Sequence, residues 1–144
     1  MILCDVNVLV FAHKEGADRH NEYRSWLEEV MNGDEAFGVS DFVLSSVLRI
    51  VTHPRVFDPP SPWDRAREFA EAVRSAPSAV PIAPGPRHWQ IFTELGEKAG
   101  VRGNLVSDAY LAALAIESGS EWITTDRGFA RYPGLRFRHP LEPT

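Results

Sequence analysis

A three-layer α/β/α fold with a central, mainly parallel sheet is the architecture this sequence predicts, on three observations. Short apolar segments alternate with longer amphipathic ones along the whole chain. The apolar segments are continuous rather than alternating, as strands covered on both faces must be. The length of 144 residues suits one domain and leaves little room for two independent cores, so residues 1–144 are read as a single unit.

The elements follow in order. Ile2–Cys4 reads as a buried strand ending at Asp5, and Val6–Lys14 as a helix with Val8, Leu9 and Ala12 on one face. His20, Tyr23, Leu27 and Val30 give the stretch 17–32 a helical face, with Gly33 to stop it. Residues 36–39 form a second strand. Ser40 or Asp41 then caps a helix carrying Phe42, Leu44, Val47, Leu48 and Val51, which ends before Pro54. Ser61 followed by Pro62 starts the next helix, with Trp63, Ala66, Phe69, Ala70 and Val73 on its inner face. Residues 80–82 make a weak strand. Residues 86–99 make a helix with Trp89, Phe92 and Leu95 inward and Gly100 at its end. Ser107 is the expected cap of a strongly apolar helix over 108–118, closed by Gly119. A strand over 121–125, a turn or short helix at Asp126 and a last strand over 135–137 complete the chain.

Composition excludes several classes. Apolar residues make up 44% and charged residues 24%, as in ordinary globular proteins. The net charge of −5 provides no basic field, so a nucleic-acid substrate would have to be held by local arginines and by metal. Cys4 is the single cysteine, which rules out an internal disulfide and a cysteine-based zinc site; it reads as a small buried hydrophobe, and a reducing cytoplasm fits. The apolar N-terminus carries Asp5 and Asn7 and no leading positive charge, unlike a signal peptide or a membrane span, so the chain reads as soluble. His13, His20, His53, His88 and His139 lack metal-type spacing, and no glycine-rich phosphate loop is present. His20, on an apolar helix face, reads as a packed structural residue. A strand-end Asp also serves phosphotransfer enzymes, but those of the Asp-x-Asp type need a second Asp where this chain has Asn7.

The acids carry the chemistry. Ligands bind outside the carboxyl ends of strands in open parallel sheets, and Asp5 and Asp126 each end a strand. Asp108 opens the helix that feeds the second of those strands, on the face shared with Leu111, Ala112 and Ala115. Singly, each has a plain explanation: Asp5 as a helix cap, Asp108 as a charge complementing a helix N-terminus, Asp126 as a turn former. Together at one edge they repel one another unless a cation is present. Carboxylate oxygens suit Mg²⁺ or Mn²⁺, which retain waters, lower the pKa of bound water and clamp a phosphoryl group for in-line attack. Hydrolysis of a phosphate ester is the chemistry implied. Arg127, Arg131, Arg136 and Arg138 cluster near the C-terminus, as phosphate contacts or as a solvated surface.

Four segments also carry a resemblance. Asp-Val-Asn-Val-Leu-Val from residue 5, Gly-Asn-Leu-Val-Ser-Asp-Ala-Tyr over 103–110 running on to Gly119, Thr-Asp-Arg-Gly-Phe-Ala-Arg-Tyr-Pro-Gly-Leu over 125–135, and Leu-Arg-Ile-Val-Thr-His-Pro-Arg-Val-Phe over 48–57 resemble PIN-domain ribonucleases, most of all the VapC toxins of type II toxin–antitoxin modules. The resemblance spans essentially the whole chain. It implies a PIN-like fold, Mg²⁺-dependent cleavage of RNA with Mn²⁺ able to substitute, a VapB-like antitoxin as partner, and a homodimer. By position it makes Asp5 and Asp108 metal ligands and Asp5, Asp108 and Asp126 the catalytic acids, with Asn7, Asn104 and Thr124 lining or supporting the site. The chain departs from the family in one respect. A further acid, often Glu, is usual in the helix after the second strand, where this chain has Leu44, Ser45 and Ser46. Ser45 or Ser46 holding a metal-bound water, Asp41 reaching in from one turn earlier, and a PIN-like module that binds partners with weakened catalysis are the alternatives.

Overall fold

The computed structural model of the chain describes residues 1–143. Five short strands, β1 (Ile2–Cys4), β2 (Phe37–Val39), β3 (Ala79–Pro81), β4 (Glu121–Ile123) and β5 (Phe137–Arg138), form one sheet in the order β3-β2-β1-β4-β5. Every pairing is parallel, with Leu3 opposite Gly38 on one side and Trp122 on the other. Strands this short form because both faces are covered: β1, β2 and all of β4 but Glu121 are buried. Gly38 is required where it stands, because a Cβ there would lie 3.0 Å from the Ile82 side chain and 3.1 Å from the Ile2 carbonyl. Pro81, which cannot donate to a ladder, falls on the edge strand β3.

Six helices cover the sheet: α1 (Val6–His13), α2 (His20–Met31), α3 (Asp41–Val51), α4 (Trp63–Arg74), α5 (His88–Ala99) and α6 (Leu105–Ser118). α1 packs on α2 and α3, and α3 on α4, while α5 packs on α6. The chain steps outward from β1 through β2 to β3, then returns to lay β4 on the far side of β1. Right-handed crossovers place the outward and the returning helices on opposite faces, which makes three layers. Ala109, Ala112, Ala113 and Ala115 are fully buried along α6, so its backbone lies close to its neighbours. Among the described residues no helix is long and apolar enough to cross a membrane.

Several boundaries differ from the sequence reading, each for a physical reason. α2 begins at His20 rather than 17, after a turn in which Arg19 takes the left-handed conformation (φ 56°). Pro62 precedes α4 in extended conformation instead of occupying its first turn, and the Ser61 hydroxyl bonds His13 Nε2 (2.9 Å) rather than capping. α6 starts three residues before Asp108, so Ser107 lies inside the helix and makes no cap. β3 starts at Ala79, β4 stops at Ile123 and β5 is shifted to Phe137–Arg138. In α5 the inward side is set by His88, which is buried with Nε2 2.9 Å from the Tyr110 carbonyl oxygen, leaving Trp89 70% exposed. Trp63, expected on the inner face of α4, is exposed too, and so is Phe42 on α3. Other expectations hold. His20 is buried with Nδ1 2.8 Å from the Phe11 carbonyl oxygen, and Cys4 is buried, its thiol pushed far up by desolvation with Asp5 adding.

Candidate active site

The strand order reverses between β1 and β4, and at such a point the loops leaving adjacent strand ends diverge and open a crevice. Asp5 leaves β1 and Asp126 follows β4 at this crevice. Asp5 is 7% exposed. Its Oδ1 accepts the Val6 amide (2.7 Å) and its Oδ2 accepts the Thr124 hydroxyl (2.7 Å). The same Thr124 oxygen accepts the Asp126 amide (3.0 Å), so one buried hydroxyl holds Asp5 and sets the backbone that carries Asp126. Asp126 Oδ1 in turn accepts the Gly128 amide (2.7 Å) at the start of a 3-10 turn over Arg127–Arg131. Asp108 approaches from the first turns of α6, half-buried as its helical face predicts.

The electrostatics tie the three acids together. Burial pushes the Asp5 carboxyl from 3.8 up to about 6; the Thr124 and Val6 hydrogen bonds oppose this, and the Asp108 and Asp126 charges add to it. Asp108 is raised by its own burial and then by Asp126, while Arg131 pulls it down. Tyr132, buried with its hydroxyl donating to the Leu105 carbonyl (3.2 Å), is raised by burial and then by Asp108. Among the described residues no three His, Cys, Asp or Glu side chains stand close enough to share one ion. The acids are thus coupled through space in an open arrangement rather than a closed cage. That arrangement fits a Mg²⁺-type ion, which is commonly held by one or two carboxylates and otherwise by water. Asp5 and Asp108 are the two acids whose carboxyls are raised, first by burial and then by neighbouring negative charge, a repulsion such an ion would relieve.

The other candidates separate. Thr124 is at the centre of the site, whereas Asn7 and Asn104 are exposed. Asp41 does not reach the crevice: its carboxylate takes Arg74 Nε (2.7 Å) and Nη2 (3.2 Å) at the surface. Ser45 and Ser46 both donate to the Phe42 carbonyl one turn back (3.1 Å each). The four arginines divide as well. Arg138 is bound to Glu121 (2.8 Å), Arg136 donates to the Gly119 carbonyl (3.1 Å) at the other end of β4, and Arg127 lies 3.5 Å from Glu142. Arg131 alone folds back on the acid loop, with Nε donating to the Gly128 carbonyl (2.8 Å). Tyr132 carried no signal in the sequence beyond its place in a motif.

Comparisons with known proteins bear on the fold and the family. The PIN domain family matches residues 2–135. VapC ribonuclease Mb2897 of Mycobacterium bovis is 46% identical over 143 residues, covering 99% of this chain and 97% of that protein. Ribonuclease VapC25 of Mycobacterium tuberculosis is 39% identical over 140 residues, covering 97% and 99%. Among solved structures, VapBC2 from Rickettsia felis bound to a DNA fragment from its promoter aligns with TM-score 0.69 at 19% identity, over 96% of this chain and 98% of that one. VapC20 of Mycobacterium tuberculosis, described as a sarcin-ricin loop cleaving toxin, aligns with TM-score 0.64 at 15% identity, over 90% and 93%. Fold, full-length likeness and the strand-end acids lead to one assignment: the chain belongs to the PIN-domain family, in the group of the VapC ribonucleases.

Proposed function

We propose that this chain is a metal-dependent endoribonuclease, the toxin of a VapBC-type toxin–antitoxin module, with residues 1–144 acting as one domain in the cytoplasm. The observation that carries the reading is the placement of Asp5 and Asp126 at the two strand ends flanking the reversal of strand order, tied through Thr124, with Asp108 coupled to both. Asp5 and Asp108 would hold Mg²⁺, with Mn²⁺ able to replace it. When bound, such an ion supplies a water of lowered pKa and positive charge against the phosphoryl oxygens.

The chain's own residues account for the rest. Thr124 holds one Asp5 oxygen by donating to it, so the carboxylate keeps its orientation. Asp126 has one oxygen committed to the Gly128 amide and the other left to accept a proton from an attacking water. Arg131, fixed on the Gly128 carbonyl, brings a guanidinium to the edge of the acids, where a phosphate would sit. A VapB-like antitoxin as partner is supported by the likeness to the VapBC2 assembly. A homodimer is supported by the aromatic run Phe42–Tyr110–Phe92–Trp89, whose neighbouring ring centroids lie 5.1, 5.5 and 5.6 Å apart and whose two ends are exposed. Light scattering at micromolar concentration checks that point.

The reading is tested by incubating purified protein with RNA under Mg²⁺ and under Mn²⁺. Wild type should cleave and Asp5→Asn should not, and the ion should raise the melting temperature of wild type but not of Asp108→Asn. A second reading, a weakened nuclease that serves as a partner-binding module, is favoured by one observation: Asp41, the only acid of α3, is occupied by Arg74. Equal inertness of wild type and Asp5→Asn on varied RNAs with both ions would select it.

A further inference from the structure

A cavity of about 400 Å³ opens one strand beyond the acids, between the carboxyl ends of β4 and β5, lined among others by Thr124, Asp126, Arg127, Ala130, Phe137 and Arg138. Cleavage of a phosphodiester bond does not call for it. We propose that this cavity is a nucleobase subsite, which takes the base of a nucleotide flanking the scissile phosphate of single-stranded RNA and selects it; the proposal rests on the nuclease reading.

Position is the first argument. Thr124 and Asp126 belong to both the acid site and the cavity wall, so a strand whose phosphate meets the acids carries its neighbouring base to this opening. The cavities between α1, α2 and α4 (about 390 Å³) and at the tip of α1 (about 640 Å³) are of similar and of larger size, but none of the three acids lines either one. The volume lies within the range of small-molecule sites.

The lining is the second argument. An unpaired base is recognised by stacking on aromatic rings or guanidinium planes and by hydrogen bonds to its edges. Phe137 and Ala130 supply apolar surface. The Arg138 guanidinium, bound to Glu121 at 2.8 Å, is held in place before any ligand arrives. His139 closes the wall with both ring nitrogens engaged: Nδ1 accepts the Leu141 amide (3.1 Å), and Nε2 lies 3.4 Å from the Tyr23 hydroxyl. Arg127, 89% exposed at the rim and 3.5 Å from Glu142, remains available to a phosphate or a base edge.

Ala130 permits a clean test, because it is exposed on the 3-10 turn and lines the cavity, so a large side chain there fills the space without entering the core. Wild type and Ala130→Trp are compared in two assays: base preference beside the cut in an RNA pool of random sequence with Mn²⁺, and affinity for the four homopolymeric oligoribonucleotides. Wild type should prefer one base, and Ala130→Trp should lower that preference at least about fivefold, the loss expected when one stacked base is displaced, while still cleaving the pool. Cleavage with unchanged preference in Ala130→Trp overturns the subsite and leaves the nuclease reading standing. Base-selective binding that is lost in Ala130→Trp, with no cleavage by either protein, supports the subsite and removes the nuclease reading. Absence of base preference in wild type, in both assays, overturns the subsite. Should Ala130→Trp melt well below wild type, Phe137→Leu, which shortens the stacking surface, is read in the same way.

Discussion

Asp5 and Asp41 occupy equivalent places in the fold and end in opposite electrostatic states. Both lie where a helix begins after a buried parallel strand: Asp5 caps α1 directly after β1, and Asp41 opens α3 two residues beyond β2. Asp5 faces the crevice where the strand order reverses, is buried, and has its carboxyl pushed up to about 6. Asp41 stands beside β2, away from that crevice, and its side chain is 73% exposed against the Arg74 guanidinium, which draws its pKa down. An acid neutralised by a partner at the surface has no need of a cation. An acid that is buried, repelled by two others and held in one orientation by a threonine is a destabilised charge, and natural proteins retain such groups mainly at functional sites.

The largest effect expected from this contrast is on catalysis. Asp5→Asn should reduce Mn²⁺-dependent RNA cleavage by about a hundredfold or more, since ion-held charge at a phosphoryl group is worth several kcal/mol, whereas Asp41→Asn should stay within about twofold. Cleavage time courses on one RNA decide it, and equal losses in the two variants would end the distinction. Next comes the residue that connects the acids. Thr124→Val keeps the shape but removes the hydroxyl that donates to Asp5 and accepts from Asp126. Ion affinity or cleavage should drop about 10- to 100-fold, as for other groups that orient ligands, with a stability loss of about 1–3 kcal/mol from the buried polar groups left unpaired. Ion titration and denaturant melts separate the two effects.

The pH dependence should run in opposite directions at the two acids. Asp5 has a folded pKa near 6 against 3.8 for the ordinary group, so the native state binds the proton more tightly than the unfolded state does. Without an ion, its contribution to stability is therefore present below about pH 4, is lost as pH rises toward 6 and stays constant above, on the order of 3 kcal/mol in total. Denaturant melts across this window should show the slope in wild type and its absence in Asp5→Asn. Ion affinity should rise over the same interval as the proton leaves. Asp41 contributes the reverse, a stability present above the ordinary carboxylate pKa and lost as pH falls through its lowered value. That part should be marginal, because the pair is exposed and screened. Smallest of all, Arg74→Ala should leave the cleavage rate within about twofold of wild type. A large loss would mean that the Asp41–Arg74 pair supports the crevice after all.

Asp5 and Asp126 were legible because a short apolar run ending in an acid is a local pattern, and the parallel α/β rule locates ligands at strand ends. Asp108 was legible through helical spacing. Thr124 entered only as a motif position, because its partner Asp5 lies 119 residues away and meets it solely through the β1–β4 pairing. The inward side of α5 was misread for a related reason. Trp89 outranks His88 in hydrophobicity, but the buried place went to the imidazole that meets the Tyr110 carbonyl on α6.

The sequence alone determined the alternation of strands and helices, the parallel class of the sheet and the acids that stand at its strand ends. Each of these depends on periodicities and residue types read within a few turns of chain. The tertiary structure decided which acids stand together and which is neutralised at the surface, since Asp5 and Asp41 differ by a threonine and an arginine delivered from distant segments. It also decided that β5 and the turn after β4 enclose a cavity next to those acids. Contacts of that kind are set by strand order and helix packing, which no local pattern encodes.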